Sequence, residues 1–256
     1  MTNALPDAAG EYAFVSGAGS GIGQAVAIAL ARAGWPVVLA DRDTSGVNTT
    51  AEAIRANGGR ANPLVVDVTD RAALEQGVAR ADRLLGTLRA AFNGAGVEGP
   101  LAPVHEISAE DWDRTLAVNL TGTWNCMRLQ TPRMLAGGGG SIVNCASVFG
   151  LVGSRGGGAY AASKHAIVGL SRSAALEGAA AGVRVNVICP GPADTPMIDR
   201  LDGEHPGFRE RVLAASPGGR LIPTEQIAET VAWLCGPAAT AVTGQAIAID
   251  DGFTAG

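Results

Sequence analysis

The chain has 256 residues, of which 47% are hydrophobic and 17% are charged, so it is long enough to bury a large core in one domain. The net charge is −5, basic residues form no stripe, and no apolar run reaches membrane-span length, which argues against nucleic acid and membrane partners. The cysteines at positions 126, 145, 189 and 235 show neither metal-ligand nor disulfide spacing, so we expect free buried thiols, a reducing cytoplasmic location and no metal site.

The first ten residues lack both the basic region and the apolar stretch of a secretory signal, so we expect no leader there. Residues 12–15 form a short apolar run that predicts a buried strand. The glycine-rich stretch 16–23 follows it, and a helical pattern occupies residues 24–33. This order predicts an anion site, because backbone N–H groups at a helix start and the helix dipole both favour a bound phosphate. Glycines there let a pyrophosphate approach the backbone, which favours a dinucleotide as ligand.

A second predicted strand, residues 36–40, ends at an acidic residue, Asp41. Asp41 lies eighteen residues past Gly23, close to the spacing of about 20 at which a carboxylate reads the adenosine ribose. A carboxylate accepts hydrogen bonds from both ribose hydroxyls and repels a 2′-phosphate, so NAD is favoured over NADP. Arg42 favours NADP instead, since a guanidinium pairs well with phosphate. Ser20, before Gly21, offers no second phosphate clamp.

Periodicity and turn residues predict the next elements: helix 46–57 ending at Gly58-Gly59, strand 62–66, helix 71–85 and strand 89–92. Asp67 follows the third strand, where it can face the adenine amino group, and Asp70 is placed to cap the next helix. The turn Asn93-Gly94-Ala95-Gly96 follows the fourth strand. Its small residues would let a cofactor lie against the backbone.

A capping box of Ser108 and Asp111 predicts the start of a long helix that runs to about residue 135. Asn119 lies in the middle of this helix, where a buried amide without partners costs about 1–3 kcal/mol. Two interpretations stay open for Asn119: a side chain satisfied by a neighbouring carbonyl, and a functional residue. Pro132 predicts a kink or a stop near the end of the helix.

Strand 141–146 is predicted next, and Ser147 follows at its carboxyl end, where open parallel sheets bind their ligands. After a loop, a helix is predicted from Tyr160 to about residue 181, and Lys164 lies on the same helix face one turn later. A cation beside a phenol favours the phenolate, which makes a proton donor and acceptor usable near neutral pH. Many Tyr–Lys pairs at this spacing are surface pairs, so the surrounding motifs decide the interpretation.

The last third of the chain begins with a predicted strand, 183–188, which Cys189-Pro190-Gly191-Pro192 breaks. Residues 194–222 contain weak helical segments and apolar side chains such as Met197, and we expect this stretch to be a substrate lid over the strand ends. Thr224 is predicted to cap a final helix, and residues 245–249 form the last strand. Alternating strands and helices predict one α/β domain over residues 1–256: a Rossmann-type, doubly wound parallel sheet of about seven strands with helices on both faces.

Together these features resemble the short-chain dehydrogenase/reductase family over nearly the whole chain. The matching motifs follow the family's order: the glycine turn at 17–23, Asp67, the Asn93 turn, Asn119, Ser147, Tyr160 with Lys164, Pro190-Gly191 with Thr195, and Thr243-Gly244-Gln245. Three positions depart from the usual pattern, because Ser16, Gly94 and Ala146 stand where the family usually has Thr, Asn and Ser. None of the three departures removes a catalytic group.

The resemblance implies catalytic roles for four residues. Tyr160 would be the general acid/base on the substrate oxygen, and Lys164 would favour its phenolate and hold the nicotinamide ribose. Ser147 would orient the carbonyl or alcohol and stabilise developing negative charge. Asn119 would anchor a water molecule that relays protons to bulk solvent.

The resemblance also implies which residues contact the cofactor. Asp67 and Val68 would flank adenine, and Asn93 would lie beside the adenosine ribose. Ile188 and Thr195 would hold the nicotinamide end. The full predicted set is Gly17, Ser20, Gly21, Ile22, Gly23, Asp41, Arg42, Asp67, Val68, Asn93, Gly94, Ala95, Tyr160, Lys164, Ile188, Pro190, Gly191, Thr195 and Met197.

These expectations favour an NAD-dependent oxidoreductase that interconverts a small secondary alcohol and a ketone by hydride transfer. One alternative is a 3-oxoacyl-[acyl-carrier-protein] reductase, a branch that usually uses NADPH, which Asp41 disfavours. Another is a regulator that senses NAD without turnover, against which the complete set of four catalytic residues argues. The family also suggests a homotetramer.

Overall fold

The computed structural model describes residues 10–255, so the expectation about a leader in residues 1–9 lies outside the described part of the chain. The strands are β1 (Glu11–Ser16), β2 (Val37–Asp41), β3 (Ala61–Val65), β4 (Thr87–Asn93), β5 (Gly140–Cys145), β6 (Val183–Pro190) and β7 (Ala246–Ile249). They form one parallel sheet in the order β3-β2-β1-β4-β5-β6-β7. The predicted Rossmann-type parallel sheet is therefore confirmed.

Helices cover both faces of this sheet. Within the described residues the α-helices are α1 (Gly21–Arg32), α2 (Thr44–Ala56), α3 (Arg71–Leu85), α4 (Ala109–Leu116), α5 (Gly122–Gly137), α6 (Gly158–Gly178), α7 (Pro196–Glu204), α8 (Phe208–Ala215) and α9 (Thr224–Cys235). In β1, Ala13 and Val15 pack against α1, α2 and α9, whereas Tyr12 and Phe14 face α3, α5 and α6. Because β1 is buried on both faces, it is a continuous apolar run rather than an alternating one.

The order of the strands reverses at β1, which has β2 on one side and β4 on the other. In such sheets a ligand crevice forms outside the carboxyl ends of the strands at this point. The register pairs Ser16 with Asn93 and Asn93 with Asn144, so β1, β4 and β5 end level with each other. The residues predicted to follow these strands therefore meet at one edge of the sheet.

A buried network of amide side chains fixes the central strands beneath this edge. Asn93 donates to Gln130 Oε1 and Asn144 Oδ1, each at 2.9 Å, and Gln130 returns a 2.8 Å bond to Asn93 Oδ1. Asn144 then donates to Ser171 Oγ of α6 at 2.8 Å. Since unpaired buried amides are costly, these bonds tie β4 and β5 to helices α5 and α6 in one arrangement.

The long helix predicted from Ser108 to residue 135 is interrupted, which corrects the expectation of a continuous α-helix. Ser108 caps the helix as predicted, with the Asp111 amide donating to Ser108 Oγ at 3.0 Å, but Asp111 Oδ2 accepts from the Ser108 hydroxyl at 2.9 Å rather than from the backbone N–H of a full capping box. Between α4 and α5, however, residues Ala117–Thr121 form a π-helical turn with Asn119 at its centre. Such turns mark sites where the chain departs from regular hydrogen bonding for a local contact. Pro132 neither stops nor shortens the helix, which continues to Gly137.

Several strand and helix ends differ from the predictions by one to three residues, and two differences involve prolines. β6 continues through Cys189 to Pro190, because Pro190 is still paired with Ile249 of β7. Thr224 is the first residue of α9 rather than its cap, since Pro223 occupies the N-cap position and no side chain caps the helix. No helix within residues 10–255 has the length and apolarity needed to cross a bilayer.

The segment 194–222 leaves the sheet after β6 and carries α7 and α8. Its two ends are held together, because Asp194 N donates to Ile222 O at 3.0 Å and Ile222 N donates to Pro192 O at 2.8 Å. The segment is thus an excursion with a closed base beside the carboxyl ends of the strands.

Candidate active site

A cleft of about 950 Å³ lies along the carboxyl ends of the strands. Turns after β1, β2, β3 and β4 line one half, which we call the nucleotide half. The chain after β5, the start of α6, the segment 194–222 and the C-terminal residues line the other, which we call the substrate half. The volume falls in the range of small-molecule and cofactor sites.

The glycine turn after β1 is packed too tightly for side chains. A Cβ on Gly23 would lie 1.9 Å from Gly17 O, and a Cβ on Gly17 would lie 2.8 Å from Ala95 N. Gly17 and Gly21 also have positive φ values of +72° and +53°. The start of α1 therefore faces the cleft with its backbone N–H groups uncovered by side chains, which suits a phosphate group.

Asp41, at the end of β2, is held in place by backbone amides. Its Oδ2 accepts from Gly19 N at 2.9 Å and its Oδ1 accepts from Asp43 N at 3.0 Å. A carboxylate has about four acceptor sites, so two remain for hydroxyl donors in the cleft. Arg42 lies beside it, exposed and also lining the cleft, and makes no ion pair within residues 10–255.

The turn after β3 places Asp67 and Val68 on the cleft wall. Asp67 accepts from Thr69 N at 2.8 Å and from Thr69 Oγ1 at 2.7 Å, which orients its carboxylate. Asn125 of α5 donates to Val68 O at 2.9 Å and fixes the backbone there. No motif around Asn125 in the sequence indicates this contact.

The turn after β4 shows why glycine occupies position 94. A Cβ on Gly94 would lie 2.4 Å from Cε1 of the buried Phe92 ring, so an Asn side chain does not fit without rearrangement. Gly94 and Ala95 line the cleft, whereas the Asn93 side chain belongs to the buried amide network and does not. Ile188 is likewise fully buried in β6, away from the cleft lining.

Ser147, Tyr160 and Lys164 all line the cleft. Lys164 is only 4% exposed, and its Nζ donates to Cys145 O at 2.9 Å and lies 5.3 Å from the centre of the Tyr160 ring. An ammonium has three N–H donors, and residues 10–255 supply an acceptor for one of them. The other two are available to a ligand, as a buried cation requires.

Ser147 directly follows β5, and its extended backbone, with φ of −170°, directs the chain into a short 3₁₀ turn. Its Oγ accepts from Phe149 N at 3.2 Å, which orients the hydroxyl. A hydroxyl in this position can donate to a substrate oxygen in the cleft.

Asn119 is fully buried, and its side-chain amide is satisfied by backbone and by a serine. Oδ1 accepts from Val97 N at 2.8 Å, and Nδ2 donates to Val97 O at 3.0 Å and to Ser163 Oγ at 3.1 Å. Ser163 in turn donates to Tyr160 O at 2.7 Å. The π-helical turn thus connects the segment after β4 to the helix that carries Tyr160 and Lys164. Neither the spacing nor the family resemblance indicates a role for Ser163.

The segment 194–222 begins against the glycine turn. A Cβ on Gly21 would lie 3.2 Å from Thr195 Cγ2, so Thr195 is close to the predicted pyrophosphate site. Pro190, Gly191 and Met197 also line the cleft. All predicted site residues therefore lie at this edge of the sheet, with Asn93, Asn119 and Ile188 behind the cleft surface rather than on it.

Burial governs the chemistry of the cysteines. It raises the pKa of Cys126, Cys189 and Cys235 to about 12, and it also raises the pKa of Cys145 although the Lys164 ammonium acts in the opposite direction. The thiols are therefore poor nucleophiles in the folded protein. No group of His, Cys, Asp and Glu within residues 10–255 is arranged to hold a metal ion.

Comparisons with known proteins agree with this arrangement. A family model described as enoyl-(acyl carrier protein) reductase matches residues 17–254. A cis-4-hydroxycyclohexanecarboxylate dehydrogenase of Sinomonas cyclohexanicum is 40% identical over 243 residues, which are 95% of this chain and 96% of that protein. A cyclohexanol dehydrogenase of Acinetobacter sp. (strain SE19) is 36% identical over 244 residues, 95% of either chain.

Solved structures give the same result at the level of the fold. A tryptophan variant of actinorhodin polyketide ketoreductase, crystallised with NADPH, superposes with a TM-score of 0.92 at 34% identity and covers 97% of this chain and 99% of its own. Levodione reductase superposes with a TM-score of 0.92 at 31% identity, with coverages of 96% and 98%.

Proposed function

The chain belongs to the short-chain dehydrogenase/reductase family and is an NAD(P)-binding oxidoreductase of secondary alcohols and ketones, and from this premise we propose that it uses NAD and acts on a cyclic alcohol or its ketone. We propose further that residues 1–256 are one domain and that segment 194–222 is its substrate lid. The observation that carries the proposal is that Ser147, Tyr160 and Lys164 line one cleft, with the Lys164 ammonium 5.3 Å from the centre of the Tyr160 ring.

The nucleotide half fits a dinucleotide on two grounds. The glycine turn forms a cradle that a Cβ at Gly23 would fill, and the start of α1 faces it. At the other end, two N–H donors of the Lys164 ammonium are available for the hydroxyls of the nicotinamide ribose. When bound, the cofactor supplies the hydride acceptor or donor at its nicotinamide ring.

The proton chemistry belongs to Tyr160. Its phenol lies in the cleft beside a buried ammonium and, as general base, takes the hydroxyl proton of an alcohol. In the reverse direction the phenol returns this proton to a ketone oxygen. Ser147 donates to the same oxygen and stabilises the negative charge that develops on it. Asn119 holds the helix of Tyr160 in position through Ser163.

The preference for NAD rests on Asp41. Its carboxylate is fixed by Gly19 and Asp43 amides and keeps acceptor sites free for the two hydroxyls of an adenosine ribose. A 2′-phosphate beside it would place two negative charges together, which is unfavourable. Arg42 is exposed and can swing toward solvent, so it offsets this repulsion only in part.

The cyclic substrate is inferred from two relatives and from the lining of the substrate half. The Sinomonas and Acinetobacter proteins are named for cyclohexane-based alcohols. The substrate half of this cleft carries the apolar side chains of Val148, Phe149, Met197, Ile198, Leu201, Phe208, Val212 and Phe253, beside the charged Arg155, Arg200, Glu204 and Arg211. Burial of a saturated ring against such apolar side chains is favourable in proportion to the apolar area removed from water.

The test compares Tyr160→Phe with Tyr12→Phe, since the chain has only these two tyrosines and Tyr12 lies outside the cleft. We expect the Tyr160 variant to lose turnover of cyclohexanol and cyclohexanone by about 10²–10⁴-fold, which is the contribution of a positioned general acid/base. NADH binding, measured by fluorescence titration, should change little in either variant. Substantial residual turnover in the Tyr160 variant would contradict the proposed role.

The predicted homotetramer and cytoplasmic location remain proposals. Two long helices carry exposed apolar side chains that suit subunit contacts: Leu176 of α6 is 84% exposed and Trp124 of α5 is 39% exposed. Sedimentation equilibrium measures the assembly directly, and a monomer at micromolar concentration would contradict the tetramer.

A further inference from the structure

The C-terminal residues 250–254 form a rigid turn at the substrate half of the cleft. Phe253 N donates to Asp250 O at 3.0 Å, which closes a four-residue turn. The central residues Asp251 and Gly252 have φ values of +49° and +86°, and Asp251 is the one non-glycine residue with positive φ within residues 10–255. Positive φ at both central positions is the type I′ pattern, which Asp-Gly favours.

The side chain of Asp250 locks this turn. It accepts hydrogen bonds from Gly252 N at 3.0 Å, Thr254 N at 2.9 Å and Thr254 Oγ1 at 2.6 Å. Burial acts to raise the pKa of Asp250, but these hydrogen bonds outweigh it and hold the pKa below its ordinary value. The carboxylate therefore stays ionised and keeps its donors. Because the backbone of the turn is fixed at several points, the direction in which the Phe253 side chain leaves the backbone is fixed as well.

Phe253 completes an aromatic pair on the cleft wall. Its ring meets the ring of Phe149 edge to face, with centroids 6.2 Å apart and planes at 89°. Both rings line the cleft, and Phe149 is two residues after Ser147. The pair brings together the chain after β5 and the C-terminal turn, and it places an apolar surface in the cleft that Ser147 also lines.

The same turn is bonded to the segment 194–222. Asp251 receives two bonds from Arg220, with Nε 2.8 Å from Oδ2 and the Nη2 nitrogen 3.0 Å from Oδ1. A Cβ on Gly218 would lie 2.5 Å from Asp251 Oδ2, and a Cβ on Gly191 would lie 3.0 Å from Asp250 Cα. The turn thus contacts the chain just before this segment and near its end.

We propose that Phe253 is a specificity-determining residue whose ring, with Phe149, forms the wall that limits the size of the substrate ring. We propose also that the Asp251–Arg220 pair is a positioning contact that keeps this wall aligned with the segment 194–222. The proposal rests on the proposed function, which supplies the cyclic substrate. It names the residues that select among such substrates.

The central experiment measures kcat/KM for cyclohexanone and for a bulkier 4-tert-butyl derivative with NADH. We expect Phe253→Ala to lower kcat/KM for cyclohexanone by about tenfold and to leave or raise that for the bulky ketone, since one buried apolar group is worth about 10–200-fold in discrimination. The Kd for NADH should change by less than about twofold, because Phe253 lies outside the nucleotide half. Leu84→Ala, at an exposed site of α3, is the control and should change kcat/KM for neither ketone.

Two further variants test the positioning contact. Arg220→Gln and Asp251→Asn should each shift the ratio of the two ketones in the same direction as Phe253→Ala, and the double variant should shift it no further, because either change breaks the same pair. An additive double variant would show that the two residues act separately and would overturn the positioning role.

A calorimetric titration of the NADH complex with each ketone separates this inference from the proposed reaction. If no ketone is reduced but cyclohexanone binds and Phe253→Ala selectively weakens that binding, the reaction is contradicted and the wall is supported. If Phe253→Ala changes both ketones equally, in kinetics or in binding, or changes neither, Phe253 does not select substrates and the inference is overturned.

Discussion

The two halves of the cleft differ in whether backbone or side chains form their surface. The nucleotide half consists of backbone turns in which a side chain at Gly17 or Gly23 would overlap main-chain atoms. The substrate half consists of side chains on the segment 194–222, on the chain after β5 and on the C-terminal turn. A backbone surface can bind one constant group, whereas side chains can be exchanged without rebuilding the sheet. This difference predicts separate effects on cofactor binding and on substrate choice.

The largest expected effect lies where the two halves meet, at Lys164. Lys164→Ala removes the buried ammonium beside Tyr160 and its donors toward the ribose, so we expect turnover to fall by more than about 1,000-fold. Because both functions are lost, the KM for NADH should rise as well, unlike in Tyr160→Phe. Steady-state kinetics with both variants measures this contrast.

The contact between Lys164 and the cofactor can also be tested by chemical modification, because Lys164 is the only lysine of the chain. An amine-reactive reagent should modify the wild-type protein at Lys164 and at the chain terminus, and NADH should protect Lys164 alone. Equal modification with and without NADH, read by peptide mass spectrometry, would contradict contact between Lys164 and the cofactor.

The next largest effect is expected within the nucleotide half. Gly23→Ala places a Cβ where Gly17 O now lies, at 1.9 Å, so the glycine turn must shift. We expect the affinity for NADH to fall by about 100-fold, as for a displacement of about 1 Å in a positioned site. Gly169→Ala is the matched control, because its Cβ meets no atom within 4 Å on an exposed face of α6. Fluorescence titration of NADH compares the two variants, and a Gly23 variant that binds like wild type would remove the basis for the backbone cradle.

A smaller effect is expected at Asp41, which selects the cofactor rather than binding its phosphates. Asp41→Ser should shift the ratio of kcat/KM for NADH over NADPH toward NADPH by about 10–100-fold, since a hydrogen bond to a charged group is worth about 1.5–3 kcal/mol. Asp70→Asn removes a similar charge at the cap of α3, outside the cleft, and should leave the ratio unchanged. A wild-type protein that prefers NADPH tenfold would favour an NADPH-dependent ketoreductase instead.

The difference between the two halves of the cleft also explains which features the sequence predicts well. The glycine turn, Asp41 and the strands around them carry local signals, because each turn directly follows an apolar run. The π-helical turn at Asn119 has no such signal, since it depends on Val97, which lies 22 residues earlier in the chain. Phe253 and Phe149 meet through the fold and not through any spacing in the sequence. Most of the fold, the nucleotide half and the residues Ser147, Tyr160 and Lys164 are therefore predictable, whereas the contacts that complete the rest of the substrate half are not.

The two tyrosines extend this comparison to opposite ends of the sheet and give the smallest effect. Tyr160 lies at the carboxyl ends of the strands beside an ammonium, whereas Tyr12 is buried at the start of β1 and donates to Asp82 Oδ1 at 2.7 Å. Burial, with the Asp82 carboxylate, raises the pKa of Tyr12 far above its ordinary value. The folded state therefore retains the Tyr12 proton at pH values where the unfolded chain, with a tyrosine pKa of about 10, has lost it.

This difference makes stability depend on pH in one direction. The contribution of Tyr12 is complete below about pH 10 and is lost as the pH rises above it, by at most about 1.4 kcal/mol per pH unit. Burial also raises the pKa of cysteines 126, 145, 189 and 235, so they add a slope of the same sign from lower pH and the comparison must be between variants. Tyr12→Phe should cost about 1 kcal/mol at pH 7, where the bond to Asp82 is lost, and should flatten the decline of the free energy of unfolding above pH 10. Urea titrations at pH 7, 9 and 10.5 measure the cost at pH 7 and the decline at higher pH. If the free energy of unfolding falls with pH equally in the variant and the wild type, Tyr12 ionises equally in the folded and unfolded states.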